Sequence, residues 1–230
     1  MNITLKKIIF LLVLSFFTAV NAQKILFVGN SLTYSNNLPN ILETLANKSG
    51  KKIKTKSLCK PNYAIIDHLN EGKLQEILAK EKFDYLIVQQ GPSSQKEGKK
   101  MLIEDGGKLK KLCDKYKIKL VYFMVWTSKK WFHTFNLVIK NHKLAAKQND
   151  ALLFSVGEIW KKYTTHNTMV DLYSLDGFHP SKAGSFLAAL VMFHKLYPKE
   201  NLHLLKFLEY KKWIKNEDSF NLMLNLIQNN

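Results

Sequence analysis

Short apolar runs alternate along the chain with longer segments in which hydrophobic residues recur every three or four positions. The runs predict five buried strands, at 24–28, 53–58, 84–89, 118–125 and 151–156. The periodic segments predict helices over 38–48, 64–70, 73–81, 99–116, 134–149 and 180–197, with one or two more within 203–228. Five strand–helix alternations predict an α/β protein, with a parallel sheet between two layers of helices.

The first 22 residues have the composition of a secretory signal peptide. A basic start and an apolar run over 8–17 precede small residues that end at Ala22, after which cleavage is expected. The apolar run is too short to span a membrane, and no cysteine follows the cleavage position to carry a lipid anchor. The predicted organisation is a signal peptide over 1–22 and one domain over 23–230, exported to the periplasm or secreted.

The chain is strongly basic, and every side chain that the formal charge counts as positive is a lysine. The formal net charge is +17, and subtracting Lys6 and Lys7 of the signal peptide leaves +15. The lysines are scattered through predicted helices without an arginine-rich tract or zinc-finger spacing, which argues against a nucleic-acid partner. A solvated basic surface is expected, and attraction to anionic polysaccharide or to the cell surface is the alternative. No stable membrane anchor is expected, and the oligomeric state stays open.

The two cysteines, Cys59 and Cys113, have neither metal-ligand nor redox-motif spacing. An exported compartment permits a disulfide, but two distant cysteines do not establish one, because pairing depends on geometry. Cys113 lies in an apolar helical pattern, where a buried thiol is expected. The histidines show no metal-ligand spacing either, so neither a metal nor another cofactor is expected.

The first candidate for chemistry is Ser31. It follows the predicted strand 24–28 and Gly29, and an amphipathic segment comes soon after it. This arrangement places the serine at the carboxyl end of a strand, where α/β sheets bind ligands. A serine there is a candidate nucleophile, and the alternative is a turn serine without chemistry.

The segment Asp176-Gly177-Phe178-His179-Pro180 supplies the two groups that a serine nucleophile needs. A histidine can take the serine proton and later return it to the leaving group, while a carboxylate holds the imidazole in the required tautomer. A separation of three residues lets one turn present Asp176 and His179 to the same point. The alternatives are an Asx-turn aspartate and a histidine that only packs or caps a helix.

Two segments resemble sequence blocks of the SGNH (GDSL-type) hydrolases. Residues 28–33, Val-Gly-Asn-Ser-Leu-Thr, resemble the first block with Asn30 where aspartate is usual, and 176–180 resemble the last block, Asp-x-x-His-Pro. The overall pattern, including Asp67-His68-Leu69 and a third block that contains glutamine, is similar to exported members from Bacteroidetes-type bacteria. The resemblance implies a flavodoxin-like five-stranded parallel sheet with extra C-terminal helices. It also implies a serine hydrolase of carboxylic esters with Ser31, Asp176 and His179 as the catalytic residues and no cofactor.

The resemblance further implies donors for the oxyanion of an ester intermediate. The Ser31 backbone N–H is the first, and the family normally adds a glycine N–H from its second block and an asparagine side chain from its third. Here these blocks read Lys60-Pro61-Asn62-Tyr63 and Gln89-Gln90-Gly91-Pro92-Ser93-Ser94. Asn62 is the candidate for the glycine position, because asparagine tolerates left-handed backbone. Gln90, or alternatively Gln89 or Ser93, is the candidate side-chain donor; the other interpretation is that all are turn residues.

Aromatic residues and one further histidine complete the candidates. Trp126, Trp131 and Phe132 follow the fourth predicted strand and would suit stacking on a sugar, with core or loop packing as the alternative. His68 lies in a helical pattern near the second block, where it would approach the site or simply pack.

The sequence therefore predicts an exported serine esterase that works through an acyl-enzyme. The favoured substrate is an O-acetyl group on a carbohydrate, because resembling enzymes of the cell envelope often deacetylate carbohydrates. A short-chain acyl ester or a lipid is the alternative within the same chemistry. A glycan-binding module that kept the fold and lost efficient catalysis is the alternative from another class, and the atypical second and third blocks motivate it.

Overall fold

The structure is a computed structural model that describes residues 22–166 and 168–230. The predicted signal peptide lies outside the described residues except for Ala22. The strands are β1 (Gln23–Gly29), β2 (Ile53–Cys59), β3 (Tyr85–Val88), β4 (Lys119–Phe123) and β5 (Leu152–Phe154). The α-helices are α1 (Ser31–Tyr34), α2 (Leu38–Lys48), α3 (Ile65–Asn70), α4 (Lys73–Lys80), α5 (Lys96–Lys115), α6 (Phe135–Gln148), α7 (Val156–Thr164), α8 (Lys182–Leu196) and α9 (Glu217–Gln228).

The five strands form one parallel sheet in the order β2-β1-β3-β4-β5. This order confirms the predicted flavodoxin-like α/β fold. The chain adds β2 on one side of β1 and all later strands on the other, so the sheet has its switch point at β1. Ligands of such sheets bind outside the carboxyl ends of the strands at that point. Ser31, two residues after β1, lies there.

The alternation of side chains along the strands divides the core into two layers. Ile25 and Phe27 of β1 belong to one buried cluster, and Leu26 and Val28 belong to the other. The first cluster packs against α2, α7, α8 and α9, and the second against α3, α4 and α5. Helices therefore cover both faces, which explains why the central strands are apolar at every position.

The apolar run predicted as a fifth strand over 151–156 is wrong at its carboxyl end. The strand β5 covers only three residues, and Val156 begins α7, a helix that the sequence analysis did not predict. Both Val156 and Phe154 are buried. Hydrophobicity alone does not separate a buried strand from the buried first turn of a helix, and Gly157, as a poor helix former, weakens the helical pattern.

The predicted helix start at Pro180 also needs correction, and the segment 203–228 contains one of the one or two helices predicted there. Helix α8 begins at Lys182 and not at Pro180, because Ser181 is its N-cap and accepts a hydrogen bond from the Gly184 N–H at 3.1 Å. Within 203–228 only α9 is an α-helix, and 3₁₀ turns at Leu202–Leu204 and Phe207–Glu209 replace the first part of the predicted helical segment.

Trp126 belongs to the core and does not line a cleft, so the cleft interpretation of this residue is wrong. Its side chain is fully buried and stacks on Trp160 with ring centroids 3.7 Å apart. The two cysteines are both free, and burial raises the pKa of Cys59 and of Cys113 to about 12. Of the helices in the described parts of the chain, none is long and apolar enough to cross a membrane.

Candidate active site

The turn after β1 is fixed by a polar network that leaves Ser31 at the start of α1. Asn30 is the N-cap: its side-chain oxygen accepts a hydrogen bond from the Leu32 N–H at 3.1 Å. Its amide nitrogen donates to the Tyr63 carbonyl at 3.0 Å, which ties the first block to the second. Asparagine replaces aspartate here without loss of the cap, and its amide adds a donor that a carboxylate lacks.

Gly29 allows the third block to approach this turn closely. The Gln89 side-chain oxygen accepts hydrogen bonds from the Asn30 N–H and from the Thr33 hydroxyl, both at 2.9 Å. A Cβ atom at Gly29 would lie 2.7 Å from that oxygen and 2.8 Å from the hydroxyl. The network and a larger side chain at position 29 are therefore incompatible.

The Asp–His segment forms a closed loop between β-bridged residues. Tyr173 and Pro180 pair in an antiparallel bridge, and the Ser174 N–H donates to the His179 carbonyl at 2.8 Å. Gly177 turns the loop with a φ of 67°, a conformation that glycine adopts at little cost. The Gly177 carbonyl then accepts from the Lys129 N–H at 2.8 Å, which holds the loop against the segment after β4.

Three predicted residues meet in one hydrogen-bonded chain. The Nε2 atom of His179 lies 2.9 Å from the Ser31 Oγ, and its Nδ1 atom lies 2.5 Å from the Asp176 Oδ2. A carboxylate only accepts, so Nδ1 carries the proton and Nε2 is free to accept the serine hydrogen. Ser31 and His179 are 148 positions apart in sequence, and the tertiary fold alone brings them into contact.

The carboxylate of Asp176 is saturated with donors. The hydrogen bond from His179, followed by those from the Phe178 N–H and the Ser174 hydroxyl, holds the pKa of Asp176 well below its usual range. The same oxygen that accepts from Ser174 also accepts from the His179 N–H at 2.9 Å. The side chain therefore stays negatively charged next to the imidazole and fixed relative to the backbone of the residue that it orients.

Comparison of the sequence with protein-family models and with curated proteins gives no match. Comparison with solved structures does. A protein assigned to the SGNH hydrolases, from Slackia heliotrinireducens, has 26% identity and a TM-score of 0.67, with 76% of this chain and 100% of that chain covered. The chain is thus similar to SGNH hydrolases, as the resemblance of its first and last blocks predicted.

Two further solved structures share the fold of this chain at lower identity. A GDSL-like lipase from Parabacteroides merdae has 16% identity and a TM-score of 0.63, with 79% of this chain and 99% of that one covered. An acetyl xylan esterase has 14% identity and a TM-score of 0.62, with 75% and 99% covered. The predicted fold is thereby confirmed, and the similarity to the Slackia protein bears out the predicted resemblance to SGNH hydrolases and the predicted hydrolase class.

The second block of this chain forms a turn whose backbone conformation explains why asparagine is tolerated at position 62. Pro61 and Asn62 are the central residues, and the Tyr63 N–H approaches the Lys60 carbonyl at 3.4 Å. Asn62 has a φ of 60°, as the third position of a type II turn requires. Asparagine thus occupies the left-handed conformation that the family usually gives to glycine. Within the described chain, neither the Asn62 N–H nor the Ser31 N–H has a hydrogen-bond acceptor.

In the third block of this chain, each polar side chain has different hydrogen-bond partners. Gln89 is engaged with the nucleophile turn, and its amide nitrogen is buried without a partner among the described residues. Gln90 is also buried; its oxygen accepts from the Ile65 N–H at 3.3 Å, and its nitrogen lies 3.4 Å from the Ser93 Oγ. The Ser93 hydroxyl donates to the Gly91 carbonyl at 3.0 Å. Gln90 is thus held between the second and third blocks.

Asn36 is a residue that the sequence analysis missed. Its amide nitrogen lies 3.0 Å from the Pro180 carbonyl, 3.1 Å from the Ser181 carbonyl and 3.0 Å from the Ser185 hydroxyl oxygen. It therefore clamps the segment after Ser31 to the segment after His179. The only sequence signal was the Asn36-Asn37 pair, and both residues adopt positive φ, of 55° and 56°.

His68 packs beneath the nucleophile turn and lies outside the Ser31–His179 contact. Its Nε2 donates to the Gly29 carbonyl at 2.9 Å, and burial lowers the pKa of His68 below its usual range. The imidazole therefore stays neutral and supports the end of β1, as the packing alternative for this residue predicted.

Proposed function

We propose that this protein is a serine esterase in which Ser31 attacks the ester carbonyl, His179 acts as general base and then general acid, and Asp176 orients the imidazole. In the first step His179 accepts the Ser31 proton, an acyl-enzyme forms, and the alcohol leaves with that proton. In the second step His179 takes a proton from water while the water oxygen attacks the acyl carbonyl, and it then gives that proton to the Ser31 Oγ as the bond to the acyl group breaks and the acid leaves. No charge has to move through Asp176, which stays ionised throughout.

A single observation carries this proposal: the hydrogen-bonded chain from Ser31 through His179 to Asp176. The atoms are at 2.9 Å and 2.5 Å, within the range that a nucleophile and its base need. The nucleophile lies at the carboxyl edge of a parallel sheet, at the switch point of its strand order, which is where such sheets bind ligands.

The backbone N–H groups of Ser31 and Asn62 are the proposed oxyanion donors. Both lack another acceptor among the described residues, and the hydrogen bond from Asn30 to Tyr63 fixes their turns relative to each other. The Gln90 amide is the proposed third donor, and it would have to exchange its contact with Ser93 for the oxyanion.

The favoured substrate is an O-acetyl group on a carbohydrate, released in the cell envelope or outside the cell. The acetyl xylan esterase with the same fold acts, by its name, on an acetylated sugar polymer. A short-chain acyl ester is the alternative substrate. Export follows from residues 1–22, and Gln23, the first residue after the proposed cleavage, is already fixed in β1 by its N–H to the Lys52 carbonyl at 2.8 Å.

The decisive experiment labels the protein with a fluorophosphonate and measures hydrolysis of p-nitrophenyl acetate. Ser31→Ala should lose the label and lower kcat by several orders of magnitude, because removal of a nucleophile disables the whole triad. Ser57→Ala, which changes an exposed serine of β2, serves as the matched control and should keep both. Labelling of Ser31→Ala at the wild-type rate would refute the assignment.

A glycan-binding module with impaired catalysis is the second candidate function. The observation that favours it is the buried Gln90 amide, whose two polar atoms contact Ile65 and Ser93. In that case the wild type would bind an acetylated sugar in calorimetry but turn over no acetyl ester and resist the fluorophosphonate. Efficient turnover would exclude it.

A further inference from the structure

A cavity of about 380 Å³ lies between the segments after β3 and β4 and the Asp–His loop. Its volume falls within the range of small-molecule sites. Trp131, Thr127 and Ser128 come from the segment after β4, Gln95 from the segment after β3, and Phe178 from the residue before His179. The cavity is therefore built by three different parts of the chain that meet at the carboxyl edge of the sheet.

The Asp–His loop places this cavity directly beside the proposed triad. The Phe178 ring is 5.2 Å from the His179 ring between centroids, so one aromatic wall separates the cavity from the general base. Strands β1, β3 and β4 are neighbours, and adjacent strands are about 5 Å apart, so the ends of β1 and β4, which lead to Ser31 and to the Trp131 segment, lie roughly 10 Å apart along the edge. A single ring in the cavity would bring its substituent to the serine.

Buried contacts hold the walls of the cavity in place. The Trp126 indole donates to the Phe178 carbonyl at 2.9 Å, and the Tyr173 hydroxyl donates to the Thr127 carbonyl at 2.9 Å. The Thr134 hydroxyl donates to the Trp131 carbonyl at 2.8 Å. The segment that carries Trp131 is thus fastened at both ends, while the Trp131 side chain itself is 53% exposed.

The lining is largely apolar and carries uncharged polar groups, a combination that suits the face and the hydroxyls of a neutral sugar. Two aromatic rings, Trp131 and Phe178, face uncharged hydroxyl and amide side chains such as Ser128 and Gln95. Thr127 is 1% exposed, and its hydroxyl has no hydrogen-bond partner among the described residues. A buried hydroxyl without a partner is unfavourable, and a ligand hydroxyl would satisfy it. None of the described lining residues is charged, and the Lys130 ammonium lies outside the lining, 5.7 Å from the centroid of the Trp131 ring.

From these observations we infer that this cavity binds the alcohol part of the substrate, an uncharged sugar ring, with Trp131 as its stacking surface and Thr127 as a hydroxyl partner. The inference rests on the proposed esterase function, because it assigns the leaving alcohol of that reaction. The acyl part then lies on the far side of Ser31 and needs little room, as an acetyl group does.

The test compares two acetyl esters that form the same acyl-enzyme and differ only in the alcohol. The quantity is the kcat/KM for an O-acetylated methyl xyloside divided by the kcat/KM for p-nitrophenyl acetate. Trp131→Ala should lower this ratio about tenfold, mainly through a higher KM for the sugar ester. Trp131→Phe should recover most of the loss because a ring remains, and Trp131→Leu should not.

The hydroxyl is tested separately with Thr127→Val, which keeps the shape of the side chain. The ratio should fall several-fold while the melting temperature stays the same or rises, since the hydroxyl has no partner within the described chain to lose and its burial is unfavourable. Thr44→Val in α2, whose hydroxyl donates to the Asn40 carbonyl, is the matched control and should leave the ratio unchanged.

The inference is overturned if neither Trp131→Ala nor Thr127→Val changes the ratio, or if Trp131→Ala mainly impairs hydrolysis of p-nitrophenyl hexanoate, which would make the cavity an acyl site. Calorimetry with methyl xyloside separates this result from failure of the proposed function. Weaker sugar binding by Trp131→Ala supports the cavity assignment even if Ser31 proves not to be catalytic, and unchanged binding contradicts it.

Discussion

Single side chains decide whether the reactive groups meet at all. Asp176 is at once an acceptor for the His179 ring and for the backbone of the same histidine, so position and charge are set together. Asn36, on the other side of Ser31, holds the segment that leads from His179 into α8. The proposed triad is therefore held in position by Asp176, which belongs to it, and by Asn36, which does not.

Asp176→Asn should lower kcat roughly 10³- to 10⁴-fold, because the amide leaves the imidazole without its orienting charge. The loss should be smaller than that of Ser31→Ala. Asp150→Asn, a fully exposed carboxylate near Lys110, is the matched control and should leave kcat unchanged. Steady-state kinetics on p-nitrophenyl acetate checks both.

The same variant tests how the Asp176 carboxylate makes the stability of the wild type depend on pH. Asp176 has a lower pKa in the folded than in the unfolded state, so the unfolded chain takes up its proton first as the pH falls. The stabilisation from this carboxylate is fully present above the ordinary aspartate pKa of about 3.9 and is lost as the pH falls toward the folded pKa. Urea unfolding of wild type and Asp176→Asn should thus differ at pH 6 and converge in acid. A constant difference would contradict this contribution.

Asn36→Gly tests the clamp, because glycine keeps the positive φ and removes only the amide. We expect kcat to fall about 10- to 100-fold, the cost of a small displacement of reacting groups, with KM less affected. Asn37→Gly is a closely matched control: Asn37 is exposed, has a φ of 56° and makes no side-chain cap bond. If both variants behaved alike in kinetics, Asn36 would have no positioning role.

At the scale of elements, the site depends on a strand, a turn and a short helix that fit together tightly. Strand β1 ends where Gln89 from the end of β3 reaches over Gly29 to the turn. The Gly29 carbonyl in turn accepts from the Lys60 N–H at 3.0 Å and from His68. Elements from three parts of the chain thus converge on one glycine.

Gly29→Ala should destabilise the protein by about 1–3 kcal/mol and impair kcat, because the added methyl would lie 2.7 Å from the Gln89 oxygen and force the network to shift. Gly91→Ala is the matched control from the third block, since an added Cβ there meets nothing within 4 Å. It should change the free energy of unfolding by less than about 0.5 kcal/mol. Chemical denaturation gives both values, and equal losses would show that crowding at Gly29 is not the cause.

For the whole molecule, the described fold begins where the proposed signal peptide ends. Gln23 opens β1, and its side-chain oxygen accepts a hydrogen bond from the Tyr197 hydroxyl at 2.7 Å, which joins the start of the sheet to the end of α8. Residue 23 is therefore already held by both the sheet and the helix layer.

The functional protein should begin at Gln23 and be found outside the cytoplasm. Ala22→Ser should be processed as the wild type is, whereas Ala22→Tyr should block cleavage, because signal peptidases require a small residue before the cut. Mass spectrometry of the protein from periplasm and medium reads the new terminus. Recovery of active protein that retains Met1 would contradict the export proposal.

Local patterns in the sequence determined the sheet and the three proposed catalytic residues. The apolar runs predict the strands, and the three-residue spacing of Asp176 and His179 predicts that both lie in one turn. Both predictions succeed because a buried strand and a single turn depend mostly on neighbouring residues. The left-handed conformation of Asn62 was also readable, since only a few residue types adopt it at low cost. The α/β layers followed from the alternation of elements, and the flavodoxin-like strand order was implied by the family resemblance.

Only the tertiary structure decided which distant groups share a contact. The clamp by Asn36, the hydrogen bonds of Gln89 and Gln90, the burial of Trp126 and the helix at Val156 all depend on partners far away in sequence, which hydrophobicity and local propensity do not encode. The 2.9 Å approach of Ser31 to His179 is of the same kind. The sequence identifies the candidate reactive groups, and the packing of two helix layers against one sheet brings these groups into contact.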